Sequence, residues 1–434
     1  MASLGDGVGA HTAALFSSPS SCIRFDPSVS SVVPFQTAMN DPLLAFRPSF
    51  PILSHTTYLV SNSLGAMPST VPERLAEYVD QWEGLGVRAW AESWWEMPIS
   101  VGDEIAPLIG AGSGEVAMIP SVTMANAVLL SALDYAPPRD TIVMTALDFP
   151  SVRYVYDRLA ARLGARILVV PSDDGIGIDL ERLLAAIDGR TRLVAISHVL
   201  FRSAFIVDAE AVCRRAREVG ALVALDAFHS VGVMPVDVRT LGVDFLTGGV
   251  LKWLCGGPGG CFLYANPATT AALAPALTGW QAHARPFAFE DAMEHAAGTA
   301  RWLGGTPAIP ALFAATEGPR LVRRAGIEAI RAKSVRQTTR LIELADERGY
   351  RVSAPRDADR RGGTVAFDVP HAYEIARWLL ARGIIVDYRP SAGIRIAPHF
   401  YTSDAELEGA VAAIDEALES GAWREFAGAA SVVT

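Results

Sequence analysis

The chain has 434 residues, half of them apolar, and charged residues make up 19%. That supplies a large buried core and excludes extensive disorder. Acidic residues outnumber basic ones, 47 against 37, giving a net charge of −10, which argues against nucleic acid as a partner. No run approaches the ~18 apolar residues of a membrane span. Four cysteines (Cys22, Cys213, Cys255, Cys261) are too few and too irregular for a disulfide framework or a zinc site, so no metal is expected and a reducing, cytoplasmic setting fits.

Residues 1–38 are rich in Ser, Gly and Ala and have no sustained period. They are expected to be a disordered arm or an overcalled start. From residue 115 onward, short β-rich runs alternate with helical stretches. Strands are expected at 115–119, 141–145, 166–170, 192–197 and 222–226, with helices at 123–133, 151–163, 179–187 and 208–219 between them. Short strands with helical crossovers predict an α/β fold with a mostly parallel central sheet and flanking helices. After about residue 315 a long Arg-rich helix (326–347) leads to strands at 364–368, 383–387 and 394–397. These read as a smaller C-terminal α+β domain.

In a parallel sheet, ligands bind beyond the carboxyl ends of the strands. Asp226 ends the strand 222–226, and a carboxylate there is costly to bury without a partner. It is either a helix cap or structural ion-pair member, or an anion held for a cationic ring nitrogen. Lys252 follows in a Gly-rich run (247–260). Lysines number just two, Lys252 and Lys333; the other 35 basic residues are arginines. Arginine cannot lose its proton, whereas a partly buried lysine can, and only a neutral amine attacks a carbonyl. Lys333 sits among Arg331 and Arg336 and is expected on a solvated helix face, which leaves Lys252 as the candidate for a Schiff base. The glycines after Lys252 do not form a Walker A loop, because the lysine precedes them. Gly110–Gly114 precedes a strand and is read as a connecting turn. Ser121 and Thr123 open a helix whose first-turn N–H groups suit a phosphate, or they simply cap it. Phe149 falls at the same rim, or in the core.

Together these motifs resemble the class V branch of fold-type I enzymes that use pyridoxal 5′-phosphate (PLP), the aminotransferase class V and cysteine desulfurase-like family, and within it kynureninase. The resemblance spans about residues 56–400. It rests on Asn62-Ser-Leu-Gly65, Phe149-Pro-Ser151, Phe201-Arg-Ser203, Asp226-Ala-Phe-His229, Lys252-Trp-Leu254, Gly256-Gly-Pro-Gly259, Gly279-Trp280 and Gly305-Thr306, among others.

The resemblance implies a role for each of these residues. Lys252 forms the Schiff base, and Asp226 pairs with the pyridinium nitrogen. Phe149 stacks on the ring. Val122 (through its backbone), Thr123, Ser151 and Ser203 hold phosphate or phenolic oxygens, with His229 nearby. Trp280 and Thr306 reach the neighbour's phosphate across a homodimer interface that holds the active sites. Arg395 clamps the substrate α-carboxylate, and Asn62, Ser63 and Trp90 line the substrate pocket; Trp90, Trp94 and Trp95 are alternatively core residues. The implied division is 39–66 as a segment packing on the small domain, 67–314 as the large PLP-binding domain and 315–434 as the small domain.

The implied activity acts on an amino acid through an external aldimine, with hydrolysis of a Cβ–Cγ bond to an aromatic acid plus alanine. The alternatives are a C–S lyase, an aminotransferase or epimerase on another amino acid, or a catalytically silent protein on the same scaffold. The chain departs from the kynureninase pattern at three places. Leu251 stands where Tyr precedes the lysine, Val152 stands where Asp follows Phe-Pro-Ser, and Val60-Ser61 replaces Asp-Gly.

Overall fold

The structure, a computed structural model, describes residues 41–428; the expectation for residues 1–38 lies outside them. In chain order the strands are β1 (Thr57–Tyr58), β2 (Val116–Ile119), β3 (Thr141–Thr145), β4 (Arg166–Val170), β5 (Thr191–Ser197), β6 (Leu222–Asp226), β7 (Phe245–Gly249), β8 (Cys261–Ala265), β9 (Arg351–Val352), β10 (Val365–Asp368), β11 (Ile384–Ile385), β12 (Asp387–Arg389) and β13 (Gly393–Ile396).

A seven-stranded sheet has the order β2-β8-β7-β6-β5-β3-β4. Strands β4, β3, β5, β6 and β7 run parallel; β8 is antiparallel to both β7 and β2. This is the mostly parallel α/β sheet expected from the sequence. Every residue of β3 and β7 is buried, as strands covered on both faces must be. Helix Ala209–Val219 shows how a crossover is built. Asp208 accepts from the Ala211 N–H at its start, and Ala209, Val212, Cys213 and Ala216 bury one face.

A four-stranded antiparallel sheet, β12-β13-β10-β9, forms a second layer with the helices Ile327–Glu347, Ala372–Ala381 and Asp404–Ser420 around its own apolar core. Residues 47–60 lie along it: β1 pairs with β11, Val60 bridges Ala397, and Arg47 is bidentate on Glu406 at 2.7 and 3.0 Å. No helix among the described residues is long and apolar enough to cross a membrane.

Three expectations need correction. The strand expected at 383–387 is two: β11 pairs with β1, while β12 turns to pair with β13. The sequence also masks β7, which ends in Gly248-Gly249, and β8, which follows Gly259-Gly260, because the glycines around Lys252 mimic a loop. Lys333 is buried, not solvated, and its Nζ donates to Phe400 O at 2.7 Å. Successive helical positions rotate by about 100°, so Lys333 faces away from Arg331 and shares the inward stripe with Ile330, Gln337 and Leu341.

Candidate active site

A cleft of about 400 Å³ opens at the carboxyl ends of the parallel strands. Ser121, Val122 and Thr123 enter it after β2, and Phe149 and Ser151 after β3. Ser197 ends β5, Asp226 ends β6, and Lys252 follows β7. The topology thus gathers at one rim residues as distant in sequence as Ser121 and Lys252.

The amine of Lys252 has a crowded, apolar setting. Nζ lies 4.4 Å from the centre of the Phe228 ring and 5.4 Å from that of Phe149. It lies 2.7 Å from His229 Nε2. Burial pushes the Lys252 pKa down, the Asp226 carboxylate partly offsets this, and the Arg395 charge adds to it. Burial pushes the Asp226 carboxyl up, against a hydrogen bond from the Phe228 N–H at 2.9 Å. Burial, then Lys252 and the arginines, hold His229 well below the usual histidine range, so its ring is neutral beside the amine. Lysine and acid are each driven toward their neutral forms.

Backbone devices hold Lys252 in place. The Gly65 N–H donates to Leu251 O at 2.8 Å, and a Cβ on Gly65 would stand 2.2 Å from Lys252 O. Only glycine lets residues 62–65 approach the lysine turn this closely. On the other side, His399 Nε2–H donates to Trp253 O at 2.7 Å.

Two helices aim their first turns at the cleft. Ser121 caps Val122–Ser131 by accepting from Met124 N at 3.2 Å, and Pro150–Ala160 starts just after Phe149. First-turn N–H groups lack intrahelical acceptors and carry the positive end of the helix dipole, a setting for a phosphate dianion. Asn62 is fully buried on the cleft wall, and neither its Oδ1 nor its Nδ2 has a hydrogen-bond partner. An orphaned buried amide is costly and marks a place where a ligand supplies the missing partners.

Arg395 reaches the cleft from β13. Its Nε donates to Asp387 Oδ1 at 2.8 Å, its Nη2 to Asp387 Oδ2, and its Nη1 to Phe201 O at 2.6 Å. Arg389 lines the same wall and went unnoticed in the sequence. It is one arginine among 35, and its place depends on hairpin register.

The structure brings together Asn62, Ser63, Val122, Thr123, Phe149, Ser151, Asp226, His229, Lys252 and Arg395. Ser203 is not among them. Its Oγ donates to Ile176 O at 2.6 Å and accepts from Phe205 N, so it closes its own turn. Trp90 also lies outside the cleft and packs edge-on against Trp94 and Trp95, which fits the core alternative. Trp280 and Thr306 do not line the cleft of their own chain; Trp280 Nε1 donates to Pro286 O at 2.6 Å.

The aminotransferase class-V family model matches residues 57–402. The chain is 33% identical to a kynureninase of Burkholderia pseudomallei (strain 1106a), covering 91% of this chain and 97% of that protein. It is 32% identical to a kynureninase of Pseudomonas fluorescens, covering 89% and 94%. Among solved structures, the apo cysteine desulfurase of Thermococcus onnurineus NA1 superposes with a TM-score of 0.78 at 24% identity, covering 89% of this chain and all of that one. A cystine C–S lyase, C-DES, bound to cysteine persulfide superposes at 0.76 with 20% identity, covering 84% and 98%. This chain belongs to the aminotransferase class-V family, with kynureninases among its relatives.

Proposed function

We propose that the chain is a PLP-dependent enzyme that acts on an α-amino acid in the manner of a kynureninase, cleaving a Cβ–Cγ bond to release an aromatic acid and alanine. The observation that carries this reading is the partly buried Lys252 amine, set between two aromatic rings in the cleft that also holds Asp226. Kynureninase relatives that match nearly the whole chain support the substrate class.

The residues present fit the cofactor. Lys252 would hold its aldehyde carbon and Asp226 its ring nitrogen, whose positive charge offsets the burial that otherwise pushes this carboxyl up. Phe149 would cover the ring, and the first turns at Val122, Thr123 and Ser151 would take the phosphate. Bound there, PLP supplies an electron sink for negative charge at the substrate α-carbon. Arg395 binds the substrate carboxylate. Lys252 Nζ would take the α-proton of the substrate as a general base. His229 Nε2 hydrogen-bonds with Nζ and keeps the amine directed. Phe201, Phe228 and Leu251 exclude water around it.

The proposal extends to the assembly. A homodimer places Trp280 and Thr306 at the partner's cleft, the large and small domains meet near residue 315, and the enzyme works in the cytoplasm. C–S elimination is the second reading, and Leu251 favours it. An aliphatic side chain on the cleft wall donates no proton, and a thiolate, with an ordinary thiol pKa of about 8.5, departs without one far more readily than carbon does.

The test is product analysis by mass spectrometry with kynurenine, 3-hydroxykynurenine and cysteine S-conjugates. Turnover of kynurenine at a rate comparable to a thioether supports C–C hydrolysis. Release of thiol alone favours elimination, and no turnover of any amino acid sinks both.

A further inference from the structure

The β12–β13 hairpin builds more than one cation into the cleft. Its register places Asp387 opposite Arg395 and Arg389 opposite Gly393. Side chains two apart on a strand share a face, so Asp387 and Arg389 both project to the side from which Arg395 faces Asp387. Asp387 is fully buried. It accepts from Arg395 Nε and Nη2, and Arg389 Nη2 lies 3.2 Å from its Oδ2. One carboxylate therefore anchors two guanidinium groups, and both line the cleft.

This arrangement limits what Arg395 can offer a ligand. Its Nε–Nη2 edge, the usual bidentate face, is taken by Asp387, and Nη1 already donates to Phe201 O. Three of its five N–H groups are committed, so a carboxylate meets it at the tip alone. A carboxylate has about four lone-pair sites, and the tip of one arginine leaves some of them unserved. Arg389 is half-buried on the same wall, its Nη1 donating to Tyr388 O at 2.8 Å. Both arginines also press the Lys252 amine and the His229 ring toward their neutral forms, as a positive wall facing them must.

We infer that Arg389 is a second carboxylate-recognition residue, so that the substrate α-carboxylate is gripped between Arg389 and Arg395 and amino acids are selected over the corresponding amides and amines. This deepens the proposed function and rests on it. The PLP-loaded protein is titrated with L-alanine and with L-alaninamide, following the cofactor's absorbance. Arg389→Ala should weaken L-alanine binding about 10- to 100-fold, as expected for lost hydrogen bonds to a charged group, and leave L-alaninamide within about twofold. It should still develop a Lys252-dependent absorbance band before amino acid is added. Where the alanine variant does not fold, Arg389→Gln, which keeps length and polarity, should give the same split. Unchanged L-alanine binding, or an equal loss for acid and amide, overturns the inference. An unmodified chain that develops no Lys252-dependent band overturns the cofactor reading and this inference with it, and that failure is visible before any amino acid is added.

Discussion

Lys252 Nζ sits 2.7 Å from His229 Nε2, within hydrogen-bond distance. Burial, partly opposed by Asp226, lowers the lysine from its ordinary 10.5 to about 7. Only the unprotonated amine attacks an aldehyde, and raising the pH through this value increases its fraction. Imine formation with added PLP should therefore accelerate between about pH 6 and 8 and level off above, well below the range of an exposed lysine. Stopped-flow absorbance against pH measures this; a rate still climbing at pH 10 would show that the amine is not depressed. In Lys252→Ala no borohydride-fixable cofactor should remain.

The same shift bears on stability. A lysine lowered on folding binds fewer protons in the native chain than in the unfolded one across the interval between about 7 and 10.5. Its contribution to the stability of the cofactor-free protein should therefore rise with pH through that interval. Lys252→Met should remove this dependence, so that the variant's advantage over the unmodified chain is larger at pH 7 than at pH 10. Urea denaturation at the two pH values reads the difference, and an equal gap at both would contradict it.

Asn62 carries a different kind of strain, since its buried amide has no partner. Replacing such a group by an apolar one of similar shape returns the desolvation cost. Asn62→Leu should raise the stability of the cofactor-free chain by about 1 kcal/mol while weakening amino-acid binding to the loaded protein. A stability loss would mean that the amide is satisfied without ligand.

Strands β2 to β6 of the central sheet were legible because they are local apolar runs, and Asp226 and Lys252 because each stands out against its immediate neighbours. Phe149 and the Ser121 cap follow the same logic. What escaped depends on register or on helical phase. Arg389 and Asp387 acquire meaning when β12 pairs with β13, and no short window of sequence shows that pairing. Ser203 sat in a matching motif, yet the tight turn at Ala204 (φ 59°) directs its hydroxyl to Ile176 O. Lys333 was misjudged because Ser334, Gln337 and Thr338, all buried, give the inward stripe of its helix a polar look.

Lys333 supplies a control for the cofactor assignment, as the second of the two lysines in the chain. Lys333→Met removes the donor to Phe400 O and should cost about 1–3 kcal/mol through a carbonyl left unsatisfied. The cofactor band should persist. If the band disappears in Lys333→Met and survives in Lys252→Ala, the two lysines have been assigned the wrong way round.

Arg395 and Asp387 form a buried pair, each at most 2% exposed at the side chain. Removing one member strands the other's charge in a low-dielectric site, which costs about 3–5 kcal/mol, whereas removing both leaves a cavity without a stranded charge. Arg395→Ala and Asp387→Ala should each destabilise the chain by that order, and the double variant by clearly less than their sum. Arg389 complicates the cycle in a useful way. It stays beside Asp387 in Arg395→Ala and softens that loss, so Asp387→Ala, which leaves two guanidinium groups facing each other, should be the worse single change. Chemical denaturation of the three variants measures this. Strict additivity would mean that the pair is not energetically coupled, and that a substrate carboxylate meets an Arg395 oriented by Phe201 O alone.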